Sequence, residues 1–589
     1  MAKKNSGAEE EEIMLTMPRP RLTKLIVKNF RCIGSTGVEI DLDEIVVLVG
    51  PNNVGKSSLL RAYEIAMSDG SNASKLNLDD FPNRKIDEDN LPQIELHTVI
   101  YDERVGTQWI QQFEDGWLVK EKWTWKKDGV VPDRQGWDIT IDNWHEKSFP
   151  FGPANIANLR RPDPHSVKAF DTPESQTDAI KKIILSGIQD KIKSMQSADK
   201  DSENEYQQLL QKVGQLQSKI VDESREEIDK ANVELSNLIS NIFPNYQVNF
   251  DAKISEQIDL KFLSPDADLT MGPKDGYQSS IEKQGSGARR TLLWTALKYV
   301  SEINQKVRED GKPSRPHLLL LDEPEICLHP NAIREACNVL YSLPTGGNWQ
   351  VMVTTHSPVF IDFSRNNTSI VRVEKNEAGE IKGTTVFRPK KAKLDADDMV
   401  NLKLLNLCDP YVSEFFFGGK VIIVEGDTEY TAFNYIKNIK PEIYKDVHII
   451  RARGKATIVS LVKILNQFGA NYSVLHDSDR LLSKDGVKKS PAWGNNPNIL
   501  NSISESPEGT KVRLLASLPN FEEAYFGEEI KLNKPYNALK TISTDNNKFL
   551  IVEQLLKSLV DHSEPIPNNC SEWNSIEQLE KDLLAVCPH

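Results

Sequence analysis

Residues 45–57 read IVVLVGPNNVGKS, and this stretch decides the architecture of the first two thirds of the chain. A short, continuous apolar run that ends in glycine reads as a buried strand. Gly50-Pro51-Asn52-Asn53-Val54-Gly55-Lys56-Ser57 fits GxxxxGK[ST], and the LLRAYEIAM that follows has helical periodicity. Strand, glycine loop and helix together give the motif its physical meaning. The glycines let the loop curl so that backbone N–H groups point at phosphate, and the helix N-terminus adds favourable partial charge. Asn52, Asn53, Gly55, Lys56, Ser57 and Ser58 are therefore candidate ATP-binding residues. Lys56 is expected to reach the β- and γ-phosphates, and Ser57 to ligate Mg²⁺.

Further along, LLLLDEP at 318–324 is a buried strand that delivers Asp322 to the same metal. Glu323, one residue on, is placed to orient and activate the attacking water. Thr354-Thr355-His356-Ser357 ends the next apolar strand, with His356 a candidate γ-phosphate contact. Gln284-Gly285-Ser286-Gly287-Ala288-Arg289-Arg290 opens a helix, and Ser286 and Gly287 stand where its bare N–H groups can bind an anion. Phosphate loop, signature, acidic strand and His loop is the order seen in ABC-type ATPases. The wide gap between loop and signature, and the LIVKNFRCIG opening with Phe30 and Arg31, resemble the RecF- and SMC-like branch. That resemblance implies that the signature of one subunit faces the γ-phosphate held by another, so that ATP joins two heads.

The segments between these motifs are less specific. LTKLIVKNF at 22–30 alternates apolar and polar residues as a strand does. Region 94–151 is rich in strand formers and in tryptophan (Trp109, Trp117, Trp123, Trp125, Trp137, Trp144), a set that either fills a β-layer or stacks on bases. Region 174–242 has few glycines and prolines and many charges. Ile180, Ile184, Ile188 and Ile192 recur every four residues, and Leu209, Val213, Leu216 and Ile220 at three and four. This is a helical pair with apolar seams, either a coiled-coil-like dimerisation arm or a helical layer on the ATPase core. Strands are expected again in 246–262. Strand-helix alternation after that implies a largely parallel sheet. A domain boundary is expected at roughly 395–410, just past the basic stretch FRPKKAKLDADD.

A second alternation begins with Val421-Ile422-Ile423-Val424-Glu425-Gly426, which sets a carboxylate where a strand meets a loop. Glu429 follows at i+4, on the same face of a starting helix. Val474-Leu475-His476-Asp477-Ser478-Asp479 ends a later strand, and Asp477 and Asp479, two apart, point to one side of an extended segment. Four carboxylates at adjacent strand ends repel unless cations sit among them. Hard oxygen ligands favour Mg²⁺ or Mn²⁺, and two such ions stabilise the attacking and leaving oxygens of a phosphodiester. VEG followed by DxD on this alternation resembles the Toprim fold. Joined to an ABC-type head, it resembles the OLD (overcoming lysogenisation defect) family of ATP-dependent endonucleases, which includes the nuclease subunit of the Gabija defence system and effectors encoded beside retrons. The family places a further acidic residue after DxD, which implies Glu522 in LPNFEEA as a metal ligand. It also uses a late lysine against transition-state charge, which implies Lys548, with Lys534 and Lys540 as rivals.

Composition bounds these readings. The 589 residues allow several cored domains, and no apolar run is long enough to span a membrane. The net charge of −14 argues weakly against nucleic-acid binding but leaves room for a local basic face. The six cysteines, at 32, 327, 337, 408, 570 and 587, show no CxxC spacing, which favours free thiols in a reducing cytosol over a zinc site built on them. The expected fold is α/β: an ABC-type (RecF/SMC-like) ATPase head with a helical insertion, then a C-terminal Toprim domain. Its expected parts are a disordered tail at 1–20, an N-terminal ATPase lobe at 21–173, the helical insertion at 174–242, a C-terminal ATPase lobe at 243–400 and a Toprim nuclease domain at 401–589. The expected function is ATP-regulated, divalent-metal-dependent cleavage or nicking of DNA by a cytoplasmic homodimer or higher oligomer, in bacterial anti-phage defence. A helicase, or a reverse transcriptase with its RNA, is a candidate partner. The competing reading is an ATPase clamp or scaffold with a non-cleaving Toprim domain. A topoisomerase needs a nucleophilic tyrosine in a strand-passage module, and a primase a polymerising context; neither is visible in the sequence.

Overall fold

The structure is a computed structural model. It describes residues 19–587 except 102–104, 115, 147, 154–156, 158–160, 169–171, 196–226, 241–244, 252–267, 307–315, 347–348, 363–364, 366, 376–380, 389–393, 468, 483–487, 489 and 529–531. Of the expected features, the tail up to residue 18, the seam from Leu209 to Ile220, the part of the strands expected in 246–262 that follows residue 251 and much of the basic stretch lie outside the described residues. Among the described residues, no helix is long and apolar enough to cross a membrane.

The chain forms two compact units, one from 1–46, 53–355 and 375–382, the other from 47–52, 356–374 and 383–589. The expected boundary at 395–410 lies within the second unit, whose main stretch begins at 383.

The first unit holds β1 (Arg21–Lys28), β2 (Val38–Asp41), the start of β3 (Ile45–Val49), the phosphate loop from Asn53 on and α1 (Lys56–Met67); the rest of β3 and residues 50–52 are assigned to the second unit. An antiparallel layer follows, with β4 (Gln93–Ile100), β5 (Gly116–Thr124) and β6 (Asp133–Asp138) running in the order β2-β1-β4-β5-β6. The alternation read in β1 buries Leu22, Leu25 and Val27. Trp123 and Trp125 are fully buried and Trp109 nearly so, so these tryptophans fill the layer. Beside them Glu121 accepts from Arg134 Nε and Arg161 Nε, each at 2.8 Å, with all three side chains buried.

A parallel layer carries the nucleotide chemistry. It holds β7 (Asp163–Val167), then, after α2 (Pro173–Met195) and α3 (Ser286–Lys306), β8 (His317–Asp322) and β9 (Trp349–Thr354), with β8 between the other two. Leu318 to Leu321 are all buried, as a continuous apolar run in a covered parallel sheet must be. α2 packs on α3, and Ile180 and Ile184 are buried. This described part of the 174–242 region is thus a helical layer on the ATPase core.

In the second unit, β10 (Lys420–Val424), α4 (Asp427–Ile439), β11 (Val447–Arg451), α5 (Lys455–Gln467), β12 (Tyr472–Asp477) and β13 (Val512–Ser517) alternate. They are followed by α6 (Phe521–Phe526), α7 (Lys534–Thr544), α8 (Asn546–Val560) and β14 (Cys570–Glu572). The sheet order is β11-β10-β12-β13-β14, parallel except for the antiparallel edge β14. The chain leaves β10 toward β11 on one side and returns to β12 on the other. The strand order therefore reverses between β10 and β12, and open α/β sheets bind ligands in the crevice beyond the carboxyl ends of strands at such a point.

Candidate active sites

In the nucleotide site, Asp322 pairs in register with Thr354 across β8 and β9. Thr354 Oγ1 donates to Asp322 Oδ1 at 2.6 Å and accepts from the Glu323 backbone N–H at 3.0 Å. Ser57 Oγ donates to the same Asp322 oxygen at 2.9 Å. The two oxygens expected to share a metal are therefore already adjacent, and this donor set fits Mg²⁺. Lys56 is buried and its pKa is lowered by desolvation, opposed by the charges of Glu323, Asp322 and Glu325. An arriving polyphosphate would restore the stability of that cation. Glu323 holds a left-handed backbone (φ 46°), and its carbonyl accepts from Arg290 Nη1 at 3.2 Å.

The other expected nucleotide residues fall into different surroundings. Asn52 and Asn53 are exposed. Gly55 has φ 89° and caps α1. Ser58 is buried, with its hydroxyl 4.0 Å from Cys32 Sγ. Gly50 has φ 137°, and a Cβ there would lie 2.0 Å from the Val373 carbonyl oxygen. Ser286 and Gly287 begin α3; a Cβ on Gly287 would come within 2.7 Å of the Cys327 carbonyl oxygen, so close packing alone already requires glycine there. The His356 ring lies nearly parallel to Phe417, 6.5 Å away. Thr354, which links Asp322 to Glu323, was missed in the sequence; its position beside the acidic strand end was the available signal.

In the second unit, the reversal point assembles the acidic site. Glu425 follows β10 and Asp477 ends β12. The Asp477 backbone N–H donates to Glu425 Oε2 at 3.1 Å, and the Phe521 N–H donates to Asp477 Oδ1 at 2.9 Å. Thr428 Oγ1 donates to Glu522 Oε1 at 3.0 Å, and Lys534 Nζ lies 3.1 Å from that same oxygen. Glu425, Glu429, Asp477, Glu522, Asn533 and Lys534 all line one cavity of about 420 Å³. Asp479, with φ 59°, sits to one side and pairs with the buried Lys455, whose Nζ also donates to the Ala492 carbonyl at 3.3 Å.

Electrostatics mark the cavity as short of positive charge. Burial raises Glu429 to about 8, with the charges of Glu425 and Glu522 adding to the shift. Burial likewise raises Asp477 well above the usual carboxylate range, with Glu429 and Glu425 next in effect. Glu425 is raised by burial, against the pull of Lys455. Burial opposes the charge on Lys534, but its hydrogen bond to Glu522 and the surrounding carboxylates raise it overall. Protonation is one way to relieve such crowding, and divalent cations are the other. The all-oxygen donor set fits Mg²⁺ or Mn²⁺.

The structure thus brings together four of the five expected acidic ligands in one cavity, with the fifth, Asp479, beside it. Lys548 does not line this cavity; its Nζ donates to the Phe526 carbonyl at 2.6 Å. The rival Lys534 does line it. Lys455 was not singled out in the sequence, although it follows the end of β11 in RARGK and opens α5.

Comparison with known proteins agrees with this layout. The AAA ATPase domain family matches residues 21–128 and 159–361, over half of the chain. The family described as overcoming lysogenization defect protein-like, TOPRIM domain matches residues 416–479. The Old nuclease of Escherichia phage P2 is 24% identical over 527 residues, 85% of each chain. Endonuclease GajA of Bacillus cereus strain VD045 is 24% identical over 216 residues, 36% of this chain and 34% of that protein. A solved Smc head bound to the C-winged helix domain of ScpA is similar with a TM-score of 0.39 at 17% identity, over 63% of this chain and 99% of that one. The chain therefore belongs to the AAA ATPase domain family and, with its OLD-like TOPRIM domain, is an ATPase and endonuclease of the OLD family.

Proposed function

We propose that this protein cuts or nicks DNA with Mg²⁺ or Mn²⁺ held by Glu425, Glu429, Asp477, Asp479 and Glu522, under the control of ATP bound at Lys56, Ser57 and Asp322, as a cytoplasmic anti-phage effector. The observation that carries this reading is the convergence of four carboxylates, Glu429 and Glu522 buried and Glu425 and Asp477 half-buried, and of Lys534 on one cavity at the point where the strand order reverses. When bound there, divalent ions supply Lewis-acid polarisation of a phosphodiester and a more acidic water. The chain's own groups do the positioning. Backbone N–H groups of Asp477 and Phe521 fix the Glu425 and Asp477 carboxylates, and Thr428 and Lys534 hold Glu522. Lys534 offers an ammonium to the phosphate oxygens, whose charge must be offset before a nucleophile can approach. In the nucleotide site Glu323 orients water, while His356 and the signature residues Ser286 and Gly287 face the nucleotide of an assembled dimer. Resemblance to the OLD family supports the defensive role and a helicase or reverse-transcriptase partner.

The decisive assay is nicking of supercoiled plasmid with Mg²⁺ or Mn²⁺, run beside ATP hydrolysis on the same preparations. Asp477→Asn is expected to cut about 100-fold more slowly or worse, the size of a lost electrostatic contribution. Its ATP turnover should be unchanged, because Asp322 serves a separate metal. An Asp477→Asn protein that cuts like the original overturns the metal-dependent reading. An original protein that binds DNA but never cuts it, in any nucleotide state, makes the clamp reading the better one.

A further inference from the structure

The parallel layer of the first unit carries a second cluster of metal-ligand side chains, at the end of β8 away from the nucleotide. His317 opens β8 and pairs in register with Asp163 of β7, while His165 pairs with Leu319. Side chains two apart on a strand share a face, so Asp163, His165 and His317 project from the same side of the sheet. His165 Nε2 lies 3.0 Å from His317 Nδ1, and Asp163 Oδ2 lies 4.0 Å from His165 Nε2. One ligand atom from each of the three falls within 4.8 Å of the others. Trp349, the register partner of His317 on β9, closes one side: the His317 ring stacks on it at 4.7 Å, and the His165 ring tilts against it at 5.2 Å. The His317 side chain is buried and that of His165 is 9% exposed, while the Asp163 side chain is 40% exposed and leaves a way in from solvent.

We propose that Asp163, His165 and His317 bind a transition-metal ion of the imidazole-preferring class, Zn²⁺ first, that clips strand β7 to β8. Two imidazole nitrogens and one carboxylate oxygen are a zinc donor set, and the ion would take a water or another oxygen as fourth ligand. At Zn–N and Zn–O lengths near 2.0–2.2 Å, tetrahedral ligand atoms stand about 3.3 Å apart. The observed separations of 3.0 and 4.0 Å bracket that value. Both facing nitrogens must be bare to bind metal, so the proton lying between the rings moves to the far nitrogen of its own ring, and the neutral pair becomes a chelate. The site is distinct from the nucleotide metal. His317 and Asp322 lie at opposite ends of β8, about 16 Å apart at the rise of a strand. Mg²⁺ prefers all-oxygen shells, so ATP-bound Mg²⁺ would not displace the ion. β7 ends the strand order of its sheet, and a metal clip there would hold that edge strand in register beside the strand that delivers Asp322 and Glu323.

The test uses the full chain, stripped with chelator and dialysed against Zn²⁺ in excess Mg²⁺ to saturate the oxygen-ligand sites. The original protein should retain one more Zn²⁺ per chain than Asp163→Asn or His165→Gln, and its melting temperature should rise with free Zn²⁺ where theirs do not. Removing a ligand should weaken Zn²⁺ binding at least about tenfold, the lower end of what loss of a ligand's own hydrogen-bond partner costs. Co²⁺ loaded into the original protein should give the visible absorption of a tetrahedral ion, a readout that needs no variant to fold. Equal Zn²⁺ retention and equal thermal response in all three proteins, or no tetrahedral Co²⁺ spectrum in the original, overturns the proposal and leaves a hydrogen-bonded histidine pair under a tryptophan.

Discussion

Glu429 and Lys534 face one cavity and respond to it in opposite ways, one held toward neutrality and the other toward charge. The consequence for Glu429 can be followed through pH. Between the ordinary value of 4.5 and about 8, the folded metal-free protein keeps a proton that the unfolded chain has released. Stability therefore falls as pH rises through that window and is flat on either side of it. Calorimetry of chelator-treated protein should show this slope, and Glu429→Gln should reduce it; equal slopes for both proteins would mean that another group titrates. The lysines give a sharper contrast. Lys534→Ala removes the ammonium beside Glu522 and should slow DNA cleavage about 100-fold. Lys548→Ala loses one hydrogen bond to a carbonyl, worth about 1 kcal/mol of stability, and should leave cleavage intact; plasmid nicking by the two variants separates them. Glu425, Asp477 and Asp479 were legible in the sequence because they sit at strand ends, where periodicity gives direction, and Glu429 because it stands at i+4 from Glu425 on a starting helix; Glu522 came only from the family resemblance. The lysine was not, since its reach depends on the turn after α6, where Gly527 takes φ 77°, and on how α7 and α8 pack. No spacing rule encodes that.

The elements were legible where one period dominated and less so where two chains of reasoning met. The continuous apolar runs of β8 and β10 read correctly as covered parallel strands, and the alternation of β1 as a half-covered one. Sheet order was not legible, because pairing of β10 with both β11 and β12 is a non-local choice that leaves no mark on either strand. Nor did the sequence separate packing from base stacking for the tryptophans, or a helical layer from an arm for α2. Burial of Trp123, Trp125, Ile180 and Ile184 shows packing at those positions. A charge no motif flagged holds the antiparallel layer together. Glu121 is buried between Arg134 and Arg161, and Arg134 also donates to the Pro150 and Gly152 carbonyls at 2.5 and 3.1 Å. Glu121→Ala would leave two buried guanidiniums without their shared carboxylate, and loss of one partner from such a group costs about 3–5 kcal/mol. The Arg161 guanidinium lies 5.0 Å from the Trp123 ring centre, so the Trp123 contribution to fluorescence during urea unfolding reports on the layer. A midpoint unchanged from the original protein would show that water compensates the arginines.

At the scale of the whole molecule, a net charge of −14 opposes self-association, yet the dimer proposed for this chain requires that ATP join two heads. The balance is decided by range. Repulsion between the bodies is screened over about 8 Å at physiological salt, whereas a nucleotide between two heads is contacted directly. Association should therefore need ATP and strengthen with salt. Glu323 offers the means to trap it. Its backbone is fixed by Thr354 and Arg290, so Glu323→Gln keeps the local geometry and removes only the base, slowing hydrolysis by about 100-fold or more. ATP, once bound, then stays bound, and the joined state accumulates. Light scattering should show the Glu323→Gln protein as a dimer or larger with ATP and Mg²⁺, and the original protein reaching that state only briefly. Lys56→Ala, which lacks the phosphate-facing cation, should bind ATP weakly and show no ATP-dependent assembly. A Glu323→Gln protein that hydrolyses ATP at the original rate would remove Glu323 from the chemistry. One that binds ATP, does not hydrolyse it and still scatters as a monomer would separate ATP binding from assembly, and any control over cutting would then have to act within a single chain.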